Sequence, residues 1–436
     1  MALPELPARI QCACGAVHTC DIRRVICGKN AVAAVPQLLE QQRGLVLVTD
    51  GNTAPLAGDA LAKTLAAAGH PVHRAHFDTT AVVVPNEDAV AHIQAQLAPD
   101  VTALVGVGSG VINDLCKYVA AEAGLPYLIV ATAPSMDGYA SKGAAMILGG
   151  MKVTTSAPPP AWIVGDTALL ATAPADMLRS GIGDLLGKFS CLNDWKLSAL
   201  INGETFCQSI YEQTLARAKE TARDIEAVLA RDEEAVGRLF EGLVDVGVAM
   251  ALAGNSRPAS GSEHHLSHFY EIVGLQRGVD YLPHGIDVGY GTLVTCRLRG
   301  MVQKGLPQGT AFDPDLWRCK VGVVYGPTAP AVAKLQAKTG FYNEGKRIER
   351  LAAIKAHWEE ILTLLAEAPT GEEIAAMLTR AGFTEREYYR TYGSRMIGES
   401  IVWAKELKDR YTLFNMLEDL GVLEAMAGAY VREYLG

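Results

Sequence analysis

The chain has no excess of positive charge: 39 Lys and Arg stand against 48 Asp and Glu, a formal net charge of −9. A nucleic-acid binder carries a basic stripe, so that class drops out. An anionic small substrate does not, because a local cluster of donors overrides a diffuse negative surface. A disulfide framework is missing as well. The nine cysteines, at 12, 14, 20, 27, 116, 191, 207, 296 and 319, are odd in number and scattered, unlike a stapled secreted domain. Apolar stretches are short or broken by Gly and Pro, below the ~20 residues that span a bilayer. Around Pro4, Glu5 and Pro7 no basic region leads into an apolar core, as a secretory signal requires. These absences set the expectation of a cytoplasmic protein without membrane insertion. No internal repeat, heptad or low-complexity tract stands out. What remains is 436 residues with 49% hydrophobic, 20% charged, 43 Gly and 20 Pro. That composition is of a folded, enzyme-like chain, long enough for two domains.

Two grammars follow one another. The first 166 residues alternate short β-branched runs with helical patterns: strands at Leu45–Thr49, Val72–Phe77, Ala103–Val107 and Tyr127–Ala131, helices at 55–68, 86–97 and 111–123. Strand, helix, strand at this spacing predicts a parallel sheet with crossover helices. A hairpin is expected around Gly149-Gly150, and a last strand at Trp162–Asp166. From Pro174 onward the patterns are helical, over 174–200, 205–232, 234–254, 262–275, 285–303, 346–365, 371–381 and 397–435. The expected division is an α/β Rossmann-like domain over 1–166 and an all-α domain over 167–436 that holds metal and substrate.

Ala103–Gly110 runs from an apolar strand into Gly106, Gly108 and Gly110, with a helix starting near Val111. Missing Cβ atoms let a backbone approach a pyrophosphate, and a helix N-terminus supplies N–H groups and a positive dipole end. The G-x-G-x-G spacing departs from G-x-G-x-x-G. No acidic residue follows about 20 positions later except Glu122, inside the helix. Asp50, ending the first strand, offers an alternative ribose acceptor. Read from the residues alone, a phosphate cradle and a plain tight turn stand side by side. Asp114 and Lys117, one turn apart on the next helix, read as a solvated surface pair.

Asp184, His264 and His284 offer one carboxylate and two imidazoles, a donor set suited to zinc or a similar first-row ion with an open position. The competing reading is three unrelated polar residues near helix ends. His268 lies one turn past His264 and shares its face, whereas His265 points elsewhere; its roles are ligand, proton relay or core histidine. Cys12, Cys14, His18, Cys20 and Cys27 form a second candidate cage. Their Cys-x-Cys spacing is tighter than usual for zinc, and an opening hairpin with reduced thiols is the preferred reading.

Five segments, GVGSGVINDLCK (106–117), ATAPSMDGYAS (131–141), GIGDLLGK (181–188), SRPASGSEHHLSH (256–268) and PHGIDVGYG (283–291), carry a resemblance. In this order they are similar to the superfamily of dehydroquinate synthase and the iron-containing alcohol and glycerol dehydrogenases. Within it they most resemble the bacterial branch of the sn-glycerol-1-phosphate dehydrogenase family. The likeness spans roughly residues 10 to 300 and departs from the usual GGG start by placing Val107 between glycines. It implies reversible reduction of dihydroxyacetone phosphate to sn-glycerol 1-phosphate with NAD(P)H and one divalent ion, zinc or nickel, in a homodimer. It also implies NAD(P) contacts at Asp50, Gly108, Gly110, Val111, Ile112, Asn113, Asp114, Thr132, Ala133, Pro134, Ser135 and Ser141. Asp137, Asp184 and His268 match substrate-binding positions, with Asp184 and His268 the catalytic pair. Asp184, His264 and His284 match metal ligands. For the substrate phosphate, Arg257 and Lys188 are candidates. The alternatives are a glycerol or polyol dehydrogenase, a synthase-like lyase that uses NAD without net turnover, and a non-catalytic dinucleotide-binding protein.

Overall fold

A computed structural model describes residues 6, 8–149, 151–302, 305 and 312–435; Pro4, Glu5, Pro7, Gly150 and Gln303, named above, lie outside them. The residues group into two compact units. The first comprises Met1–Leu185 and Arg223–Ser256, the second Leu186–Ala222 and Arg257–Gly436.

The first unit opens with a hairpin, β1 (Ala8–Gln11) and β2 (Val17–Cys20), paired antiparallel with Gln11 opposite Val17. Its centre is a six-stranded sheet in the order β3-β10-β7-β6-β4-β5. The strands are β3 (Arg24–Gly28), β4 (Gly44–Asp50), β5 (Val72–Phe77), β6 (Val101–Gly108), β7 (Tyr127–Ala131) and β10 (Trp162–Asp166). All neighbours run parallel. Leu45, Leu47, Val105, Val107, Leu128, Val130 and Val164 form the core on one face, and Val46, Val48, Leu104, Ile129 and Ile163 are buried on the other, which is why these strands read as continuous apolar runs. The expected strands all form. β3 was not expected: its Val25, Ile26 and Cys27 are only half-buried, so its pattern at the sheet edge is weak. β8 (Gly143–Leu148) and β9 (Met151–Ser156) make the expected hairpin.

Three crossover helices follow the strands: α1 (Asp59–Ala67), α2 (Glu87–Gln94) and α3 (Gly110–Ala123). The Asn86 side chain accepts from the Ala89 amide and starts α2, an N-cap of the usual kind. Gly124, at φ 66, ends α3 in a left-handed conformation. From β4 the chain steps outward to β5 and then returns to place β6 on the other side. The strand order therefore reverses between β4 and β6, where open α/β sheets bind ligands at the carboxyl ends. Asp50 and Gly108 end those two strands.

After β10, α4 (Ala175–Leu186) carries the chain into the second unit, which continues with α5 (Lys188–Asn202) and the start of α6 (Gln208–Leu229). The end of α6 and α7 (Glu233–Ala253) belong again to the first unit. There Phe240 packs where a Cβ on Gly165 of β10 would stand, 2.3 Å away. The second unit is then helical throughout its described residues, from α8 (Ser262–Phe269) and α9 (His284–Gly300) to the terminal helix Leu423–Tyr434. Two of its helices, Pro314–Tyr325 and Ala329–Thr339, were not expected. Exposed Leu316 and Val323 on the first of them blur its apolar face. No helix among the described residues is long and apolar enough to cross a membrane.

Candidate functional site

At the carboxyl end of β6 the glycines serve packing first. A Cβ on Gly108 would stand 2.5 Å from Ile112 Cβ, and one on Gly106 would stand 2.9 Å from Cys116 Sγ. Bare glycines thus let α3 sit close against the strand, and its amino end opens directly at the sheet's rim. Ser109 caps it, accepting from the Gly110 amide at 2.6 Å. The first helical bond runs from the Asn113 amide to the Ser109 carbonyl, so the amides of Val111 and Ile112 precede it. Such an end favours an anion. Asp50 Oδ1 accepts from the Asn52 and Thr53 amides at 2.9 and 2.8 Å, which holds the turn after β4 in place.

Asp114 and Lys117 are not a solvated pair. Lys117 is fully buried and donates to the Gly138 carbonyl at 2.9 Å, Ser141 Oγ at 3.2 Å and the Gly143 carbonyl at 2.8 Å, with Asp114 Oδ1 3.7 Å away. Burial pulls its ammonium below the ordinary lysine range, and Asp114 opposes that shift. The surface reading failed because the segment 137–143 folds over this face of α3. Asp114 also accepts from the Ala145 amide at 3.1 Å, and the Asn113 carboxamide accepts from the Tyr127 hydroxyl at 3.3 Å. Asn113, Asp114 and Ser141 therefore hold the loop together from inside. Thr132 to Ser135 follow β7, with the Thr132 amide on the Gly108 carbonyl at 3.0 Å and Ser180 Oγ on the Ser135 carbonyl at 2.8 Å.

Asp184 lies on the last turn of α4, where the chain passes into the second unit. It is fully buried, and its Oδ2 accepts the Asp137 amide at 2.8 Å. One turn earlier, Gly181 lies under the Pro134 carbonyl, whose oxygen would be 1.9 Å from any Cβ there. A helix this close to the 132–135 loop requires glycine, which accounts for Gly181.

In the second unit, His264 and His268 stand one turn apart on α8, and His284 starts α9. Their ring centroids are 5.2 Å apart for His264–His284 and 5.8 Å for His268–His284. His265 faces elsewhere and is fully buried, as its position on the helix requires.

Two carboxylates escaped sequence reasoning. Glu263 Oε1 accepts from His264 Nδ1 at 2.8 Å, while Glu271 takes His268 Nδ1 at 2.9 Å and stands 3.4 Å from His284 Nδ1. Ser267 Oγ is 3.2 Å from the same His284 nitrogen. With each Nδ1 engaged, Nε2 is the atom that both His264 and His284 have to offer. A carboxylate behind a ligating imidazole fixes its tautomer and orientation. The signal was faint: Glu263 adjoins His264, and Glu271 follows His268 by three residues. Burial pushes the Glu263 carboxyl up. Burial likewise depresses His268 to about 3, with the positive charge of Lys408 adding to the effect, so the ring is neutral around pH 7.

Two imidazoles oriented through Nδ1, with a carboxylate as the expected third donor, are ligand types that suit a first-row divalent ion. Arg257 and Lys188, the candidates for the substrate phosphate, are both engaged inside the second unit. Arg257 is buried and paired with Glu204 through Nε at 2.6 Å, and it donates to the Tyr411 carbonyl at 2.8 Å. Lys188 Nζ is buried against the Ala259 carbonyl at 3.0 Å. Both cations are held within the unit's own frame.

Comparison with known proteins places this geometry. Residues 26–174 match the family model described as iron-containing alcohol dehydrogenase. The glycerol-1-phosphate dehydrogenase [NAD(P)+] of Bacillus subtilis is 31% identical over 297 residues, 65% of this chain and 73% of that protein. That of Korarchaeum cryptofilum is 33% identical over 277 residues, covering 59% and 87%. This chain belongs to the glycerol-1-phosphate dehydrogenase family. The family's Halalkalibacterium halodurans member extends the match to 94% of the chain and 96% of its own length at 28% identity. Solved structures agree on the fold. An iron-containing alcohol dehydrogenase from Thermococcus thioreducens has a TM-score of 0.60 at 14% identity, covering 94% of this chain and 98% of its own. A 1,3-propanediol oxidoreductase has 0.62 at 14%, covering 92% and 97%.

Proposed function

We propose that the chain is an NAD(P)-dependent oxidoreductase that reversibly reduces dihydroxyacetone phosphate to sn-glycerol 1-phosphate. The observation that carries this reading is the pair of imidazoles His264 and His284, 5.2 Å apart between ring centroids and each held at Nδ1, in a member of this family. Asp184, His264 and His284 hold one divalent ion, zinc or nickel, which when bound polarises a ketone as a Lewis acid. The amino end of α3, with Asp50 and the loop from Thr132 to Ser135, holds the dinucleotide, which brings the hydride.

The chain's own side chains do the rest. Glu263 and Ser267 keep the two ligand rings in one tautomer. Asp184, tied to the Asp137 amide, keeps its second oxygen directed by that bond. The Asp137 carboxylate accepts a substrate hydroxyl, and neutral His268, held at Nδ1 by Glu271, exchanges a proton through Nε2. Lys408, whose charge reaches His268, offers the substrate phosphate a cation. Changing Lys408 to Ala raises KM for the phosphorylated ketone about tenfold, the size of one charge-assisted hydrogen bond; an unchanged KM removes Lys408 from the site.

Metal-stripped protein refilled with zinc or nickel should oxidise NADH or NADPH when given dihydroxyacetone phosphate. Turnover of glycerol but not of the phosphate would hand the site to a polyol dehydrogenase instead.

A further inference from the structure

His264 and His284 are held in place by unequal means. His264 lies inside α8. His284 is the first residue of α9, and residues 279–283 before it belong to no helix or strand. Pro283 occupies the capping position without a side-chain hydrogen bond to the helix, and a proline has no side-chain oxygen to give one. The start of α9 therefore depends on a partner from elsewhere in the chain.

That partner is Tyr392. The Leu282 amide donates to its hydroxyl at 2.9 Å, and the hydroxyl stands 2.7 and 2.8 Å from the two oxygens of Asp287. A hydroxyl has one proton to give, so it accepts from Leu282 and donates to the carboxylate. His284 lies between the two residues joined in this way. Asp287 is fully buried in the first turn of α9, where a negative charge also favours the helix.

The ring of Tyr392 is fixed in turn. It stacks on Tyr270, with centroids 3.8 Å apart and planes inclined by 12°, and Tyr270 begins the turn that continues α8. The Tyr270 hydroxyl lies 2.8 Å from Ser400 Oγ. One side chain thus touches the extension of the His264 helix through its ring and the start of the His284 helix through its hydroxyl. The helix that carries it, Glu385–Trp403, breaks at the next residue, where Gly393 has φ 69 and ψ 160. A Cβ there would meet nothing within 4 Å beyond its chain neighbours. Glycine is needed at 393 for a backbone conformation strained in other residues, not for space.

We infer that Tyr392 is a positioning residue for the reductase: its hydroxyl sets His284 beside His264 so that the two imidazoles can share one ion. Every group named lies in the second unit. This role rests on the proposed function, through His284 as a ligand. It acts on metal affinity rather than on the reacting atoms, as partners behind a ligating imidazole do.

Three variants test it. Tyr392→Phe keeps the stacked ring and removes only the hydroxyl. Its zinc affinity, measured by chelator competition, should fall about tenfold, and turnover should return at raised zinc. In the metal-free variant the Leu282 amide should exchange with deuterium faster than in the metal-free wild type. Tyr388→Phe takes from the same stack a hydroxyl that bonds Tyr270, without touching residues 282–287. It should lower the melting temperature and leave zinc affinity as it was. His284→Ala should lose the ion. Wild-type zinc affinity in Tyr392→Phe, beside loss in His284→Ala, overturns the inference alone. Wild-type affinity in His284→Ala overturns the ligand reading and the inference with it. An equal loss in Tyr388→Phe overturns the inference too, because the effect would then be a general loosening of the stack.

Discussion

The two units prepare their shares of chemistry by different means. In the first, the amino end of α3 is made of backbone: glycines at 106 and 108 let the helix approach, and the amides of Val111 and Ile112 precede its first helical bond. In the second, the imidazoles on α8 and α9 are aimed by buried carboxylates. That contrast says where each unit breaks.

The largest effect belongs to the side-chain site. His264→Ala should remove the catalytic ion and turnover together, read by metal analysis and nicotinamide oxidation. Retention of both would sink the ligand assignment. Glu263→Gln should be milder. It keeps the shape but weakens the orienting charge behind His264, and metal affinity should fall about 10–100-fold. The backbone site answers to volume instead. Gly181→Ala forces a methyl group into the Pro134 carbonyl, and it should cost about 1–3 kcal/mol of stability and loosen dinucleotide binding. Measured by thermal melting and cofactor titration, an unperturbed variant would show that the loop gives way freely.

The smallest effect tests a pair away from both sites. Arg297 donates to both oxygens of Glu385 at 2.8 Å, and that guanidinium holds the Glu385 carboxyl below its ordinary 4.5. A depressed acid binds its proton more weakly when folded. The pair's stabilisation is therefore present above pH 4.5 and lost as pH falls through the lower folded value. Glu385→Gln should lose at most about 1 kcal/mol near neutrality, given its exposure, and should flatten the acid limb of the stability profile. An acid limb as steep as the wild type's would count against this pairing.

Much of this was legible beforehand, for a physical reason. Strands buried on both faces, such as Leu45–Thr49 and Tyr127–Ala131, announce themselves as unbroken apolar runs, and Asp184 and His284 draw notice as candidates through their glycine and proline neighbours. What stayed hidden depends on partners remote in sequence. Lys117 looks like any helical surface lysine until the carbonyls of Gly138 and Gly143 close over it. Arg257 looks available until Glu204 takes it. The half-buried β3 has too weak an alternation to be seen. Periodicity reports which face is buried, not what buries it.

The first unit is not contiguous along the chain. Phe240, which fills the space beside Gly165, arrives only after the segment Leu186–Ala222 has been made. During synthesis the nascent sheet must therefore wait, its flank bare, until α7 has left the ribosome. A fragment ending at Asp166, however natural as a cloning boundary, would leave that apolar flank without its cover and should aggregate, whereas the full-length chain should not.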